Sequence, residues 1–405
     1  QEIRYHLEKA VYLATHGRPG PTWIDIPANI QNAKIDPTAL KGFDPEEYTV
    51  SLDPELEAKV AHVVKLLKSA SRPLVHVGQG VRIAGAEKEF FKLVETYRLP
   101  FVTARNANDM VPWDHELYAG RPGTFAQRGA NFAVQTSDLY LAVGTRLSLA
   151  QTGYNAKDYA RNAKVIMVDI DQAELDKDTV NLHLKIQTDA KLFLEELNRQ
   201  LSQAKLDNQR WGRWLAQCQQ WKRKYPVVLP EYREQVGSVN SYHFIDILSD
   251  VLTSNDIVVT DMGFAFQNTN QAFRVKKGQR MFTNCGLASM GWGLPAAVGA
   301  CFGGGKRRTV CIAGEGGLLM TIQEMATIMH HRLPVKLFVL NNGGYLTIKQ
   351  TQEHGFEGRI MGSNEESGIS FPDFMKIAEA HRFKGVRLAS HQDLKNHIEE
   401  VMNHE

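Results

Sequence analysis

With 405 residues, the chain is sized for two or three domains at the usual scale of roughly 100 to 200 residues each. Its 43% hydrophobic and 23% charged residues describe a globular protein able to bury a large core, which excludes a disordered or fibrous one. Forty-seven basic against 45 acidic side chains leave a net charge of +2 with the signs interspersed, so neither a nucleic-acid groove nor a membrane-binding face is expected.

Residues 1 to 15 have the pattern of a helix end, and His16-Gly17-Arg18-Pro19-Gly20-Pro21 breaks it with neighbouring prolines and glycines. Thr22-Trp23-Ile24-Asp25-Ile26 is β-branched and aromatic and predicts a strand that Pro27 ends. Residues 36 to 55, with Pro37, Pro45 and Pro54, predict a surface linker. The segment from 56 to 205 predicts a helix, a strand Pro73 to Val77, a glycine turn, a helix 85 to 97, a strand 100 to 104, a helix 128 to 136, and strands Asp138 to Val143 and 164 to 169. Strands alternating with helices predict a parallel sheet.

Residues 206 to 239 are polar and rich in Gln, Lys, Arg and Trp, the pattern of a helical connection; Trp211, Trp214 and Trp221 share one helix face, packed on neighbours. From 240 to 405 the strands Asp256 to Thr260, Thr309 to Ala313 and Val335 to Leu340 are continuous apolar runs of the type buried on both faces. Helices near 291 to 302, 321 to 331, 371 to 382 and 392 to 404 supply the covers. The expected fold class is α/β, with two doubly wound parallel-sheet domains at 36 to 205 and 240 to 405.

Cys218, Cys285, Cys301 and Cys311 fit no zinc spacing and no dense disulfide framework, so reduced thiols in a cytoplasmic protein are expected. No apolar run approaches the roughly 18 residues of a membrane span, and Gln1 opens no secretory signal.

The most informative segment is Thr309-Val310-Cys311-Ile312-Ala313-Gly314-Glu315-Gly316-Gly317, which leaves a buried strand, turns on glycines around Glu315 and enters a helix. Such glycines let the backbone approach a ligand, and a phosphate is the obvious one. The following strand ends in Asn341-Asn342-Gly343-Gly344, which brings an acid and an amide to the carboxyl edge of one parallel sheet, where ligands of doubly wound folds bind. A carboxylate, a carboxamide and a backbone carbonyl are hard oxygen donors of the kind Mg²⁺ takes beside phosphates. The alternative is a plain strand-end turn of Asn and Gly.

With those residues in place the chain resembles the thiamine diphosphate enzymes, and more closely their acetolactate synthase-like branch. Gly17-Arg18-Pro19-Gly20-Pro21 with Ile24-Asp25-Ile26-Pro27 is similar to the end of the family's pyrimidine-binding domain. The segment from Asn284 to Ala297, with its repeated glycines, resembles the cofactor loop. The resemblance implies that Glu315, Asn342 and the carbonyl of Gly344 hold Mg²⁺, that Gly316 and Gly317 cradle the diphosphate, and that Met290, beside Ser289, props the cofactor in its bent shape. Gly263, Phe264 and Ala265 match the other diphosphate loop, with a plain strand-to-helix turn as the alternative.

Three departures bear on that implication. Glu315 stands where the family has Asp. Thr351 stands where the true synthases place a Trp that shapes the acceptor pocket, which opens ketosugars and other carbonyl acceptors as alternatives. The resemblance also brings FAD to the central domain at Gly78, Gly80, Thr103 and Gly123, but the family's Asp-Asp-Arg element is replaced by Ser148-Leu149-Ala150-Gln151. Read without the family, Gly78-Gln79-Gly80 followed by Gly85 is an incomplete dinucleotide fingerprint.

Gly303-Gly304-Gly305-Lys306 lacks the Ser or Thr of a P-loop, because Arg307 follows. His330-His331 suits a helix end, where a cation meets the negative end of the dipole. The implied activity is thiamine diphosphate- and Mg²⁺-dependent decarboxylation of a 2-oxo acid, pyruvate, with two-carbon transfer to a carbonyl acceptor, carried out by a homodimer or homotetramer. Alternatives are a simple decarboxylase, a ketosugar transferase, a degenerate cofactor-binding subunit, and a flavin or nicotinamide dehydrogenase. The resemblance further implies that residues 1 to 35 are the last part of a pyrimidine-binding domain, that a closing strand after His404 is missing, and that no residue here is the activating Glu, so the chain alone would not turn over.

Overall fold

The computed structural model describes residues 2–48 and 53–404, so the part of the expected linker at 49 to 52 lies outside the described residues. Two parallel sheets dominate the architecture. The first contains β1 (Pro73–Val77), β2 (Phe101–Thr103), β3 (Tyr118–Gly120), β4 (Leu139–Val143), β5 (Lys164–Asp169) and β6 (Leu184–Gln187). Its spatial order is β3-β2-β1-β4-β5-β6, the doubly wound arrangement in which chain direction across the sheet reverses between β1 and β4. The second contains β7 (Ile257–Thr260), β8 (Arg280–Thr283), β9 (Thr309–Gly314) and β10 (Val335–Leu340) in the order β10-β9-β7-β8, all parallel, and reverses between β9 and β7.

Burial explains why these strands read as unbroken apolar runs. In β7 and β9, Val258, Val310 and Ile312 belong to a core with Phe244, Phe338 and Ile398, while Val259, Cys311 and Ala313 belong to a second core with Leu294, Cys301 and Met325. Alternate residues therefore enter different cores on opposite faces, and both faces are covered by helices. Around the first sheet, Phe90, Phe101, Tyr140 and Phe193 are fully buried in one contiguous core. Trp211, Trp214 and Cys218 join that core, so the helix Gly212–Lys224 packs onto the first sheet along the face that its tryptophans mark.

Several expectations need correction. Thr22 to Ile26 form no strand: the segment is extended but pairs with nothing among the described residues, and Trp23 is 88% exposed. The edge strands β3, β6 and β8 are additional to the expected ones. They are three or four residues long with mixed burial or glycine, too short for a period-2 signal. The expected helix 85 to 97 is Glu87–Tyr97, preceded by a separate short helix Gln79–Ile83; the others near 321 to 331 and 371 to 382 shorten to Glu324–His331 and Phe374–Ala380.

A polar junction joins the two sheets. The buried Arg121 guanidinium donates to the carbonyls of Asn270 and Phe273, each at 2.6 Å, at the carboxyl end of the helix Phe264–Ala272. Asn108 donates to Asn270 Oδ1 at 2.8 Å, and the buried Asp109 carboxylate accepts from Arg280 Nε at 2.8 Å and from the Met281 amide at 3.0 Å. Among the described residues no helix is long and apolar enough to cross a membrane.

Candidate functional site

The carboxyl ends of β7, β9 and β10 meet where the second sheet reverses direction, the place at which an open α/β sheet leaves a crevice. Glu315 is the first residue past β9, is 1% exposed, and opens the helix Glu315–Met320. Its Oε1 accepts from the backbone amides of Asn342 and Gly344, both at 2.9 Å. The side chain therefore ties the turn after β9 to the turn after β10.

The Asn342 carboxamide points into the same corner. Its inward atom lies 3.2 Å from Glu315 Oε1 and 2.8 Å from the Gly344 carbonyl oxygen. Filled by the amide nitrogen, that position donates to both oxygens. Filled by the amide oxygen, it sets a carboxamide oxygen and the Gly344 carbonyl oxygen about 3 Å apart, the spacing of neighbouring ligands around a small octahedral cation with bonds near 2.1 Å. Glu315 Oε2 makes no hydrogen bond among the described residues and is the carboxylate oxygen left for a cation. Among the described residues no cluster of three His, Cys, Asp or Glu could hold a metal, and the mixed oxygen set at Glu315, Asn342 and Gly344 has the hard-donor chemistry Mg²⁺ takes.

Gly316 and Gly317 are glycine for a reason of space. A Cβ on Gly316 would run into the Tyr345 ring, and one on Gly317 into Asp261 Oδ2. Asp261 follows β7, is buried, and accepts the Gly291 amide at 3.1 Å through Oδ2, while its Oδ1 makes no hydrogen bond of good geometry among the described residues. Burial raises its pKa above the usual carboxylate range, opposed by amide donors at Gly291, Met262, Gly293 and Trp292. One carboxyl thus ties the β7 turn to the loop carrying Met290 and lies against the glycine turn at 316 to 317.

Gly263 has φ +70° and begins the helix Phe264–Ala272 without a side-chain cap, so the first-turn amides at Phe264 and Ala265 stay available to a ligand. Ala265 itself is buried, leaving only its backbone for such a role. Ser289 and Met290 lie on the exposed turn before Gly291; Met290 is 40% exposed and Ser289 makes no side-chain hydrogen bond among the described residues. The structure therefore gathers Glu315, Gly316, Gly317, Asn342 and Gly344 in one corner. It connects Gly263 and Met290 to that corner through Asp261 and leaves Ser289 without a bond to it.

Sequence reasoning did not single out Asp261 or Tyr345 for these duties. An Asp after a strand is common, and only the approach of Gly291 and Gly317 gives this one its role. Tyr345 sits directly after the Asn-Asn-Gly-Gly turn, a position that could have marked it as the residue closing over Gly316.

Two family profiles match the chain: "Thiamine pyrophosphate enzyme, central domain" over residues 60–197 and "Thiamine pyrophosphate enzyme, C-terminal TPP binding domain" over residues 261–405. The acetolactate synthase large subunit of Cyanidium caldarium is 29% identical over 414 residues, covering 100% of this chain and 68% of that protein. The probable acetolactate synthase large subunit of Methanocaldococcus jannaschii is 31% identical over 416 residues, covering 99% of this chain and 68% of its own length. The acetolactate synthase isozyme 1 large subunit of Escherichia coli is 30% identical over 403 residues, covering 100% and 68%. The chain belongs to the thiamine pyrophosphate enzymes, with a central and a thiamine pyrophosphate-binding domain and with homologues among the acetolactate synthase large subunits.

Proposed function

We propose that this chain is the catalytic-subunit type of a thiamine diphosphate- and Mg²⁺-dependent carboligase, which decarboxylates a 2-oxo acid, pyruvate, and transfers the two-carbon unit to a carbonyl acceptor. The observation that carries this reading is the convergence of Glu315, Asn342 and the Gly344 carbonyl beside the side-chain-free turn Gly316-Gly317. When bound, the cofactor supplies the electron sink that decarboxylation of a 2-oxo acid requires. The chain's own residues hold and orient it. Glu315, Asn342 and Gly344 supply oxygens to the cation, and the backbone amides of Gly316 and Gly317 at the start of their helix, with those at Phe264 and Ala265, supply donors to a diphosphate. Met290 offers an exposed apolar side chain next to the loop that Asp261 anchors.

Thr351 supports an acceptor that differs from the one of the true synthases. Its side chain is small and exposed, and its hydroxyl is turned back onto the Thr347 carbonyl at 3.0 Å. A ketosugar or another polar carbonyl compound suits the room this leaves.

A flavin is not part of the proposal, and the residues matched to it are bonded among themselves. The Gly80 amide is spent on the Gly144 carbonyl at 2.9 Å, and a Cβ on Gly78 would strike that same carbonyl. The Thr103 hydroxyl is bonded to Asn108 Oδ1 at 2.9 Å and to Tyr118 at 2.8 Å. Gln151 is buried, with its amide nitrogen 3.1 Å from His76 Nε2.

A homodimer or homotetramer is part of the proposal. It is supported by exposed apolar side chains beside the site, Leu287 at 86% and Met361 at 79%. Product analysis tests the activity: incubation of the assembled enzyme with [2-¹⁴C]pyruvate and a panel of carbonyl acceptors should yield labelled two-carbon adducts. Recovery of acetaldehyde alone would replace the carboligase with a decarboxylase.

A further inference from the structure

We propose that the cleft at the amino edge of the first sheet is a second ligand site, for an anion carrying a planar ring: a nucleoside phosphate. The cleft has a volume of about 830 Å³ and lies between the helix Gly212–Lys224 and the turn leading into β1, lined by Arg72, Arg210, Arg213, Gln217, Trp214 and Trp221. That volume is within the range of roughly 300 to 1,000 Å³ found for small-molecule sites. It stands at the opposite end of a different sheet from the Glu315 corner, so it is independent of the function proposed above.

Three guanidiniums line the cleft, and none is paired with a carboxylate among the described residues. Arg72 Nε donates to the Thr136 carbonyl at 2.7 Å and Arg210 donates to the Lys68 carbonyl at 2.6 Å. Arg213 is exposed and makes no side-chain hydrogen bond or ion pair among the described residues. Each side chain keeps most of its N–H groups free. The neighbouring carboxylate, Asp138, has both oxygens engaged by the backbone amides of Ser71 and Arg72, at 2.8 Å each. Like charges left unneutralised around a concave surface raise its potential towards anions. The planar donor forks of arginine match phosphate oxygens in pairs.

The aromatic wall indicates the rest of the ligand. Trp214 is fixed by its indole N–H, which donates to the Pro73 carbonyl at 2.8 Å, and Trp221 meets it edge to face at 5.8 Å. Trp214 itself is buried in the core of the first sheet, so the half-buried Trp221 is the ring that borders the cleft, and a ring beside guanidiniums with free N–H groups suits a flat heterocycle joined to a phosphate. The thirteen-residue helix that borders the cleft has no side-chain cap and no acidic residue in its first turn, which leaves its positive end uncompensated.

Calorimetry and tryptophan fluorescence on the 405-residue chain, with ADP and inorganic phosphate as probes, test the assignment. ADP should bind saturably at one site with a change in tryptophan emission, and phosphate should compete more weakly. Arg213→Ala should weaken ADP about tenfold or more, as expected for loss of a charged hydrogen bond. Because the exposed Arg213 side chain makes no hydrogen bond or ion pair among the described residues, the melting temperature of that variant should match the parent. Saturating thiamine diphosphate with Mg²⁺ should leave ADP binding intact. The proposal is overturned if neither probe binds saturably, if Arg213→Ala binds ADP as well as the parent does, or if thiamine diphosphate displaces ADP.

Discussion

At the scale of single residues, Glu315 is the position on which the site turns. One methylene longer than the family's Asp, it reaches the amides of Asn342 and Gly344 through Oε1 and keeps Oε2 for a cation. Glu315→Gln would keep an oxygen for those amides but remove the charge. Mg²⁺-dependent thiamine diphosphate binding should fall by at least about tenfold with little change in melting temperature, because charged donors dominate affinity for a hard cation. Gly317 is constrained differently. Gly317→Ala places a methyl group against Asp261 Oδ2, and overpacking of this kind costs about 1–3 kcal/mol, which thermal denaturation would read directly. The convergence of Glu315, Asn342 and Gly344 was legible in the sequence because each follows a buried strand of one parallel sheet, although Asn and Gly there also suit a plain turn. The role of Asp261 was not, since it exists only once Gly291 and Gly317, distant in sequence, are brought against it.

At the scale of elements, two devices set the geometry. The first is Arg121, whose guanidinium closes the carboxyl end of the helix Phe264–Ala272 while the amino end of that helix faces the site. Arg121→Met would leave two buried carbonyls without donors, at about 1–3 kcal/mol each. The variant should melt earlier and bind thiamine diphosphate more weakly. If it did neither, the clamp would have no mechanical role. The second is the buried polar chain inside the first sheet, where His76 bonds Tyr140, Tyr140 bonds Tyr159 at 2.7 Å, and Gln151 closes on the other imidazole nitrogen.

Burial pushes His76 from 6.5 down to about 3. Above pH 6.5 the imidazole is neutral both folded and unfolded and has no effect on stability versus pH. Between pH 6.5 and about 3 the unfolded chain takes up a proton that the folded chain refuses, so stability should fall with decreasing pH by up to about 1.4 kcal/mol per unit. His76→Gln should flatten that acid limb in denaturant titrations at pH 7, 5.5 and 4. An unchanged slope would mean that the histidine is not held neutral.

At the scale of the whole molecule, the sequence revealed the two doubly wound sheets wherever a strand is buried on both faces, as in β7 and β9, and it also revealed the partly buried edge strand β10 by its apolar run. Continuous apolar runs of four to six residues between glycine turns are too short for a buried helix and read as strands. It did not reveal β3, β6 and β8, which lie at or near sheet edges, where a few residues suffice for pairing and leave no periodicity. Thr22 to Ile26 show the converse: β-branched composition predicts a strand, yet a strand also needs a partner, and none pairs with it among the described residues. Composition gives a segment its preference, and the neighbouring backbone decides whether it is used.

The central claim is that the corner at Glu315 holds a cation and, through it, the diphosphate of thiamine diphosphate. Isothermal titration of thiamine diphosphate into the chain, with Mg²⁺ and with EDTA, in the parent and in Glu315→Gln, tests it most directly. The account predicts saturable binding that requires Mg²⁺ and is lost or weakened at least about tenfold in the variant. Binding that is absent, or that persists unchanged in EDTA and in Glu315→Gln, would contradict it.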